Sequence, residues 1–178
     1  MELNPYKQIE TELSELEIVL QDSIYSDIKL ATEVSSYIVS SGGKRIRPIL
    51  AVLVAKTLAY KGKELINLAA AIELLHTATL IHDDVVEESE VRRGKKSIHK
   101  KWDNAHGVLV GDFVYSKAFQ LMAYLSNKKI IQTLANSTNR IAEGEVLQLN
   151  SLESKAFNEE GYFEIISRKT AELFKASA

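Results

Sequence analysis

Residues 82–94 read His82-Asp83-Asp84-Val85-Val86-Glu87-Glu88-Ser89-Glu90-Val91-Arg92-Arg93-Gly94, and here side-chain type and spacing point most directly to chemistry. An apolar run, Leu68 to Leu80, leads straight into the acids, so the carboxylates end a buried helix. Gathered carboxylates repel one another unless cations neutralise them. Hard oxygen ligands in this number suit Mg2+, which typically shares its coordination with substrate phosphates. Arg92 and Arg93 follow at once and offer the forked donors that phosphate oxygens favour. The local chemistry is that of a diphosphate held by Mg2+ and arginines.

At about 100° per residue, His76, Asp83 and Glu87 fall within about 20° of one line, with Asp84 and Glu88 as a second acid pair beside them. One helix end therefore offers Asp83, Asp84 and Glu87 to metal ions, with His76 two turns deeper. The alternative is a solvated acidic helix end. The helix macrodipole disfavours acids at a C-terminus, which argues for a cation there.

Ser41-Gly42-Gly43-Lys44-Arg45-Ile46-Arg47-Pro48 is a second constellation. Glycines let a backbone approach an anion, and Lys44, Arg45 and Arg47 add charge where a helix begins. Taken alone, these residues read better as a basic loop after a helix end. The spacing of a nucleotide-binding P-loop is absent. His99 and His106 match no metal-ligand spacing and read as surface or structural residues. Trp102 beside Lys100-Lys101 is weak evidence for stacking on nucleic acid.

The elements that must position these residues read as helices. The predicted spans are 4–21, 27–41, 46–60, 64–88, 105–125, 128–150 and 158–176. Ile9, Leu13, Leu16 and Leu20 give the first its apolar stripe, Gly42-Gly43 stops the second, and Pro48 suits the first turn of the third. Residues 89–104 form the longest irregular stretch, and no strand pair with a hairpin turn stands out. The fold class is all-α. The last segment stays in helical register to Ala178 with no capping glycine, as expected of a chain cut inside a larger helical domain.

Composition excludes several functions. The chain has 178 residues, enough for one domain with a substantial core, and residues 1–178 read as a single helical domain. A net charge of −2 gives no overall field for nucleic acid. The absence of cysteine excludes disulfides and thiolate sites. No signal peptide is visible, and no run reaches the ~18 uninterrupted apolar residues of a membrane span. The expected compartment is the cytoplasm.

Taken together, Gly43-Lys44-Arg45-Ile46-Arg47-Pro48, Glu73-Leu74-Leu75-His76, His82-Asp83-Asp84-Val85-Val86-Glu87, Arg92-Arg93-Gly94, Val110-Gly111-Asp112-Phe113, Glu143-Gly144-Glu145 and Arg168-Lys169-Thr170 resemble the trans-isoprenyl diphosphate synthases, or polyprenyl synthetases. Within that family the likeness is greatest to long-chain bacterial enzymes of the octaprenyl diphosphate synthase kind. The resemblance implies an isoprenoid-synthase-type helical bundle, of which this chain is the N-terminal portion. It also implies a Mg2+-dependent prenyltransferase. An allylic diphosphate ionises, isopentenyl diphosphate attacks the carbocation, and a proton leaves, giving a long all-trans polyprenyl diphosphate. Lys44, Arg47, His76 and Arg93 would bind isopentenyl diphosphate. Asp83, Asp84 and Glu87 would ligate Mg2+, and Arg92, Lys169 and Thr170 would hold the allylic diphosphate. Asp83, Asp84, Glu87 and Lys169 would be the groups acting on the leaving diphosphate. The small Ala78 and Thr79, just before the acids, would leave room for a long product.

Two departures from the family pattern matter. Glu87 stands where the family's first motif has aspartate, which keeps the charge and adds a methylene. A second aspartate-rich motif is not found in these residues, so this chain by itself is expected to be inactive. The competing readings are a regulatory, non-catalytic subunit of a heteromeric prenyl synthase and a terpene cyclase. The isopentenyl-binding set Lys44, Arg47 and His76 argues against the cyclase, which has no second substrate. Family members are commonly homodimers, and the same assembly is expected here.

Overall fold

In a computed structural model, residues 5–155 and 158–178 are described. Two compact units make up the chain, Met1–Tyr124 and Leu125–Ala178. Both are helical, and the all-α expectation holds apart from one two-residue ladder.

The first unit is organised by α4 (Leu65–Val86), which packs against α1 (Glu10–Ser23), α3 (Ile46–Thr57) and α6 (Asn104–Ala123), while α2 (Lys29–Val39) also leans on α6. Ala69, Ala70, Ala71, Ile72, Leu74, Leu75, Ala78 and Ile81 of α4 are all buried. A helix apolar on every side has to be enclosed by others. Three consecutive alanines keep its first half slim enough for close neighbours. By length and composition α4 is also apolar enough to cross a membrane, but more than half of its apolar window is buried inside this unit, as expected of a core helix.

The loop between α2 and α3 is fixed by Arg45. This residue precedes α3 in the left-handed region, at φ 48°. Its guanidinium is almost fully buried, and Nε and Nη2 donate to the Glu17 carboxylate of α1 at 2.7 and 3.0 Å. Nη1 donates to Glu73 of α4 at 2.9 Å, and Nη2 also donates to the Val39 carbonyl at the end of α2 at 3.1 Å. One side chain thus ties α1, α2 and α4 to the start of α3. Burial pushes the Glu73 carboxyl up from the ordinary range, opposed by Arg45, Arg93 and Arg47.

Several boundaries differ from the sequence expectation for a common reason. A 3-10 turn, Pro5–Gln8, precedes α1, which starts only at Glu10. The third and fourth helices end earlier than expected, and α7 (Lys128–Ser154) ends later. Ala59, Glu88 and Lys155, just past these ends, take positive φ of 54°, 53° and 52°. Left-handed residues commonly terminate helices, but glycine is their usual marker. Here no glycine stands at those positions to reveal the stop.

The stretch 89–104 is not irregular. It contains an antiparallel ladder, β1 (Val91–Arg92) with β2 (Lys95–Lys96), and a short helix α5 (Ile98–Lys101). Arg93 and Gly94 turn the ladder with φ of 52° and 76°. Two positive φ values are what a tight hairpin turn with the right twist demands. Strands of two residues carry no alternation that a sequence pattern could expose.

In the second unit α7 packs on α8 (Glu159–Ile166) and α9 (Glu172–Ser177). The helix expected over 158–176 does begin there, with Asn158 accepting from the Gly161 N–H at 2.7 Å. It is interrupted, however, by a π-helical turn at Ser167–Ala171.

Removing one partner from a buried ion pair strands the other charge, which costs about 3–5 kcal/mol. Arg45→Ala should lose that much stability in urea unfolding. Glu17→Gln, which replaces a carboxylate that is itself 48% exposed, should lose about 1 kcal/mol or less. Equal losses from the two variants would refute the central place given to Arg45.

Candidate diphosphate and metal site

Three segments of the first unit build the site: the C-terminal half of α4, the loop before α3, and the β1–β2 hairpin. Arg45 is spent on structure, as described above. Arg47, two residues on in the first turn of α3, is half-buried, and burial pulls its pKa below the ordinary guanidinium value, with Glu73 opposing. Arg93 on the hairpin turn shifts in the same direction, first through burial. The Arg93 guanidinium lies against Gly43, where a Cβ would come within 2.9 Å of it. Gly43 thus gives the hairpin cation room beside the loop. Lys44 is exposed on that loop.

His76 lies on α4, three residues after Glu73, and feels the charges of these arginines. Burial is the largest cause of a pKa lowered to about 3, followed by the charges of Arg47, Arg93, Arg92 and Arg45. Burial first, and the charges of four arginines second, thus keep this imidazole neutral. Such a cluster is a field of positive potential suited to a multiply charged anion.

Asp83 and Asp84 are buried in the last turn of α4, and Glu87 caps the helix, its N–H donating to the Asp83 carbonyl at 2.8 Å. Arg92 of β1 reaches back to Asp84, with Nε at 3.0 Å and Nη2 at 2.5 Å from the same oxygen, Oδ1. That bond is the main cause of a raised Arg92 pKa, and the charges of Asp84, Asp83 and Glu87 contribute. Arg92 is therefore the link between the acidic and the basic groups. Among the described residues no set of three or more His, Cys, Asp or Glu side chains lies close enough to hold a metal ion. Asp83, Asp84 and Glu87 are neighbours on one helix end but are not drawn together. The donor set still fits a hard dication. All its ligands are carboxylate oxygens, the helix C-terminus favours positive charge, and Arg92 takes only one oxygen of Asp84.

Ala78 is fully buried in α4, whereas Thr79 is half-buried with its hydroxyl donating to the His76 carbonyl at 2.8 Å. Lys169 and Thr170 belong to the second unit and sit in the π-helical turn. Lys169 Nζ is 2.7 Å from Glu145 Oε2, and Thr170 is exposed.

Sequence reasoning missed two features. Glu73 is the buried anchor for Arg45. His82 packs so closely on Gly111 that a side chain there would overlap its ring, and its Nε2 lies 3.2 Å from the Val108 carbonyl and 3.4 Å from Asp112. The isolated Gly111-Asp112 pair inside an apolar helix was the available signal. His99 and His106 are structural, held by Ser97 at 3.2 Å and Asp103 at 2.8 Å. Trp102 meets Tyr37 edge-on, and Lys101 lies 3.8 Å from the Tyr37 ring centre and 4.3 Å from that of Trp102.

The match to known proteins follows this geometry. The family model described as Polyprenyl synthetase matches residues 28–178. The chain belongs to the polyprenyl synthetase family. Octaprenyl diphosphate synthase of Escherichia coli (strain K12) is 48% identical over 157 residues, covering 88% of this chain and 49% of that protein. Heptaprenyl diphosphate synthase component 2 of Geobacillus stearothermophilus is 32% identical over 174 residues, 97% of this chain and 54% of that protein. A crystal structure of polyprenyl synthase from Caulobacter crescentus, complexed with calcium and isoprenyl diphosphate, superposes with a TM-score of 0.94 at 39% identity, covering 97% of this chain and 53% of that one. The helical fold is thus that of the isoprenoid synthases. The chain spans about half the length of the curated relatives it matches.

His76 supplies a pH test of this polyprenyl synthetase site. Its folded pKa of about 3 lies below the 6.5 of the free side chain. Below about pH 6.5 the unfolded chain binds a proton that the folded chain refuses. The stabilisation is therefore complete above that pH and is lost as pH falls toward 3. Unfolding free energies at pH 7.5, 6 and 5 should decline less for His76→Gln than for the parent. Parallel declines would show that His76 is not held neutral.

Proposed function

We propose that the chain carries the first-motif half of a trans-polyprenyl diphosphate synthase, condensing isopentenyl diphosphate with an allylic diphosphate. The observation that supports this reading is Arg92 reaching across to Asp84 at the end of α4, with the Arg93 guanidinium against Gly43 of the basic loop and a buried, neutral His76 in the same helix. In this reading Lys44, Arg47, His76 and Arg93 take isopentenyl diphosphate, and a neutral His76 donates a hydrogen bond to it. Arg92 of the first unit binds the allylic diphosphate, and Lys169 and Thr170 are assigned to that ligand from the family resemblance alone. Asp83, Asp84 and Glu87 hold Mg2+, which when bound neutralises charge on the leaving diphosphate. The allylic C–O bond breaks, the isopentenyl double bond attacks the carbocation, and a proton leaves to restore a double bond. Fixed cations already aimed at the leaving group lower the barrier, because they need not reorganise as its charge develops. The likeness to E. coli octaprenyl diphosphate synthase favours a product of about that length. A homodimer in the cytoplasm completes the proposal.

A second reading is a subunit of a heteromeric synthase. The likeness to heptaprenyl diphosphate synthase component 2, a protein named as one component of an enzyme, favours it. Incubation with labelled isopentenyl diphosphate, an allylic diphosphate and Mg2+, with chromatography of the products, separates the two. Turnover by the whole protein in isolation supports the homomeric reading, and turnover only with an added partner supports the second. In an active preparation Asp83→Asn should lower kcat/KM by about 10²-fold or more. Wild-type turnover by that variant would remove the metal role.

Ala78 and Thr79 provide the product-length test. Phe at position 78 must be packed into a filled site, an overpacking that costs about 1–3 kcal/mol. Thr79→Phe meets less resistance. Either substitution in the active enzyme should shorten the polyprenyl product. An unchanged distribution for both would exclude these positions as the tunnel floor.

A further inference from the structure

The second unit contains a clasp that the sequence does not announce. Glu143, Gly144 and Glu145 are consecutive on α7 and face the π-helical turn Ser167–Ala171. Arg168 Nη1 lies 2.6 Å from Glu143, and Lys169 Nζ lies 2.7 Å from Glu145. Between these ion pairs the two backbones nearly touch. A Cβ built on Gly144 would lie 2.8 Å from the Arg168 Cβ, 2.9 Å from the Lys169 backbone N and 3.3 Å from the Arg168 carbonyl carbon. Two of these three atoms are backbone and cannot rotate away.

A π turn inserts one extra residue into a helix and is costly unless something holds it, and such turns gather at functional sites. Here the turn changes which residues face α7. It brings Arg168 and Lys169, adjacent in sequence, to acids two residues apart on the facing helix. Lys169 is 17% exposed, so its ammonium is confined rather than free to search solvent.

We propose that Gly144 is a positioning residue for Lys169: by leaving space for the backbone of the π turn, it lets Glu143 and Glu145 grip Arg168 and Lys169 and holds the Lys169 ammonium at one place for an anionic substrate. This rests on the reading above in which Lys169 contacts the allylic diphosphate. A methyl group at Gly144 must push the turn off α7 and carry the ammonium with it. Displacement of a positioned group by about 1 Å can cost about 10²-fold in rate.

The test is a thermodynamic cycle in the complete, active enzyme, with KM measured separately for the two substrates. Gly144→Ala should raise KM for the allylic diphosphate about tenfold or more and leave KM for isopentenyl diphosphate within about twofold. In a Lys169→Ala background the same substitution should change neither, because residues that act through one another are not additive. Glu145→Ala provides the second arm where Gly144→Ala does not fold. Its effect on the allylic KM, of either sign, should likewise vanish without Lys169. A Gly144→Ala effect that raises both KM values equally, or persists in full without Lys169, overturns the proposal while leaving the substrate reading intact. An unchanged allylic KM for Lys169→Ala alone overturns that reading and the clasp with it.

Discussion

Arg45 is the constraint on which the first unit depends. A buried guanidinium must be surrounded by acceptors, and it finds them on Glu17, Glu73 and the Val39 carbonyl. Those groups lie on three helices, α1, α4 and α2. Satisfying Arg45 forces the chain into a left-handed turn at the start of α3. That turn settles where Lys44 and Arg47 go. The strained backbone and the buried charge are therefore one feature, since either alone would be unfavourable.

From this anchor the electrostatics of the site follow. Arg47 and Arg93 are partly desolvated, and Glu73 is already shared with Arg45. His76 refuses a proton first because it is buried, and the charges of Arg47, Arg93, Arg92 and Arg45 add to that effect. A neutral imidazole among arginines can donate to an anion without adding a further charge that must be held buried when the site is empty. At the other pole Arg92 plays a related part for Asp84, neutralising a buried carboxylate that would otherwise stand beside Asp83 and near Glu87. At one pole Asp84 is paired with Arg92, and at the other Arg45 is paired with Glu17 and Glu73.

The sequence showed the acids, the arginines and His76 as chemistry, because periodicity alone places His76, Asp83 and Glu87 on one side of α4. It also showed most helices, because their apolar stripes are long. It misled at the places where backbone conformation rather than side-chain pattern decides. Ala59, Glu88 and Lys155 end helices in a conformation glycine usually marks. The β1–β2 hairpin is too short to alternate, and the π turn keeps the same residue types as the helix it interrupts. By residue type Arg45 and Arg47 are equivalent in the basic loop, and only the family resemblance singled out Arg47; the structure buries Arg45 against Glu17 and Glu73. No local pattern reports that the Arg45 partners Glu17 and Glu73 each lie 28 residues away.

The two ends of this chain's chemistry are built on the same physical device. Before α3 a left-handed residue, and in the second unit a π turn, break the regular backbone beside clustered cations. In each case a glycine makes room on the facing segment, Gly43 for Arg93 and Gly144 for the Arg168-Lys169 backbone. In each case glutamates hold the rearranged segment, Glu17 and Glu73 for the loop and Glu143 and Glu145 for the turn. A regular helix projects successive side chains about 100° apart, which spreads neighbouring cations over different faces. Local irregularity is what lets Arg168 and Lys169, adjacent in sequence, both reach α7. The irregular backbone is therefore a requirement of concentrating positive charge, and the glutamates that stabilise it also keep that charge tolerable when no anion is bound.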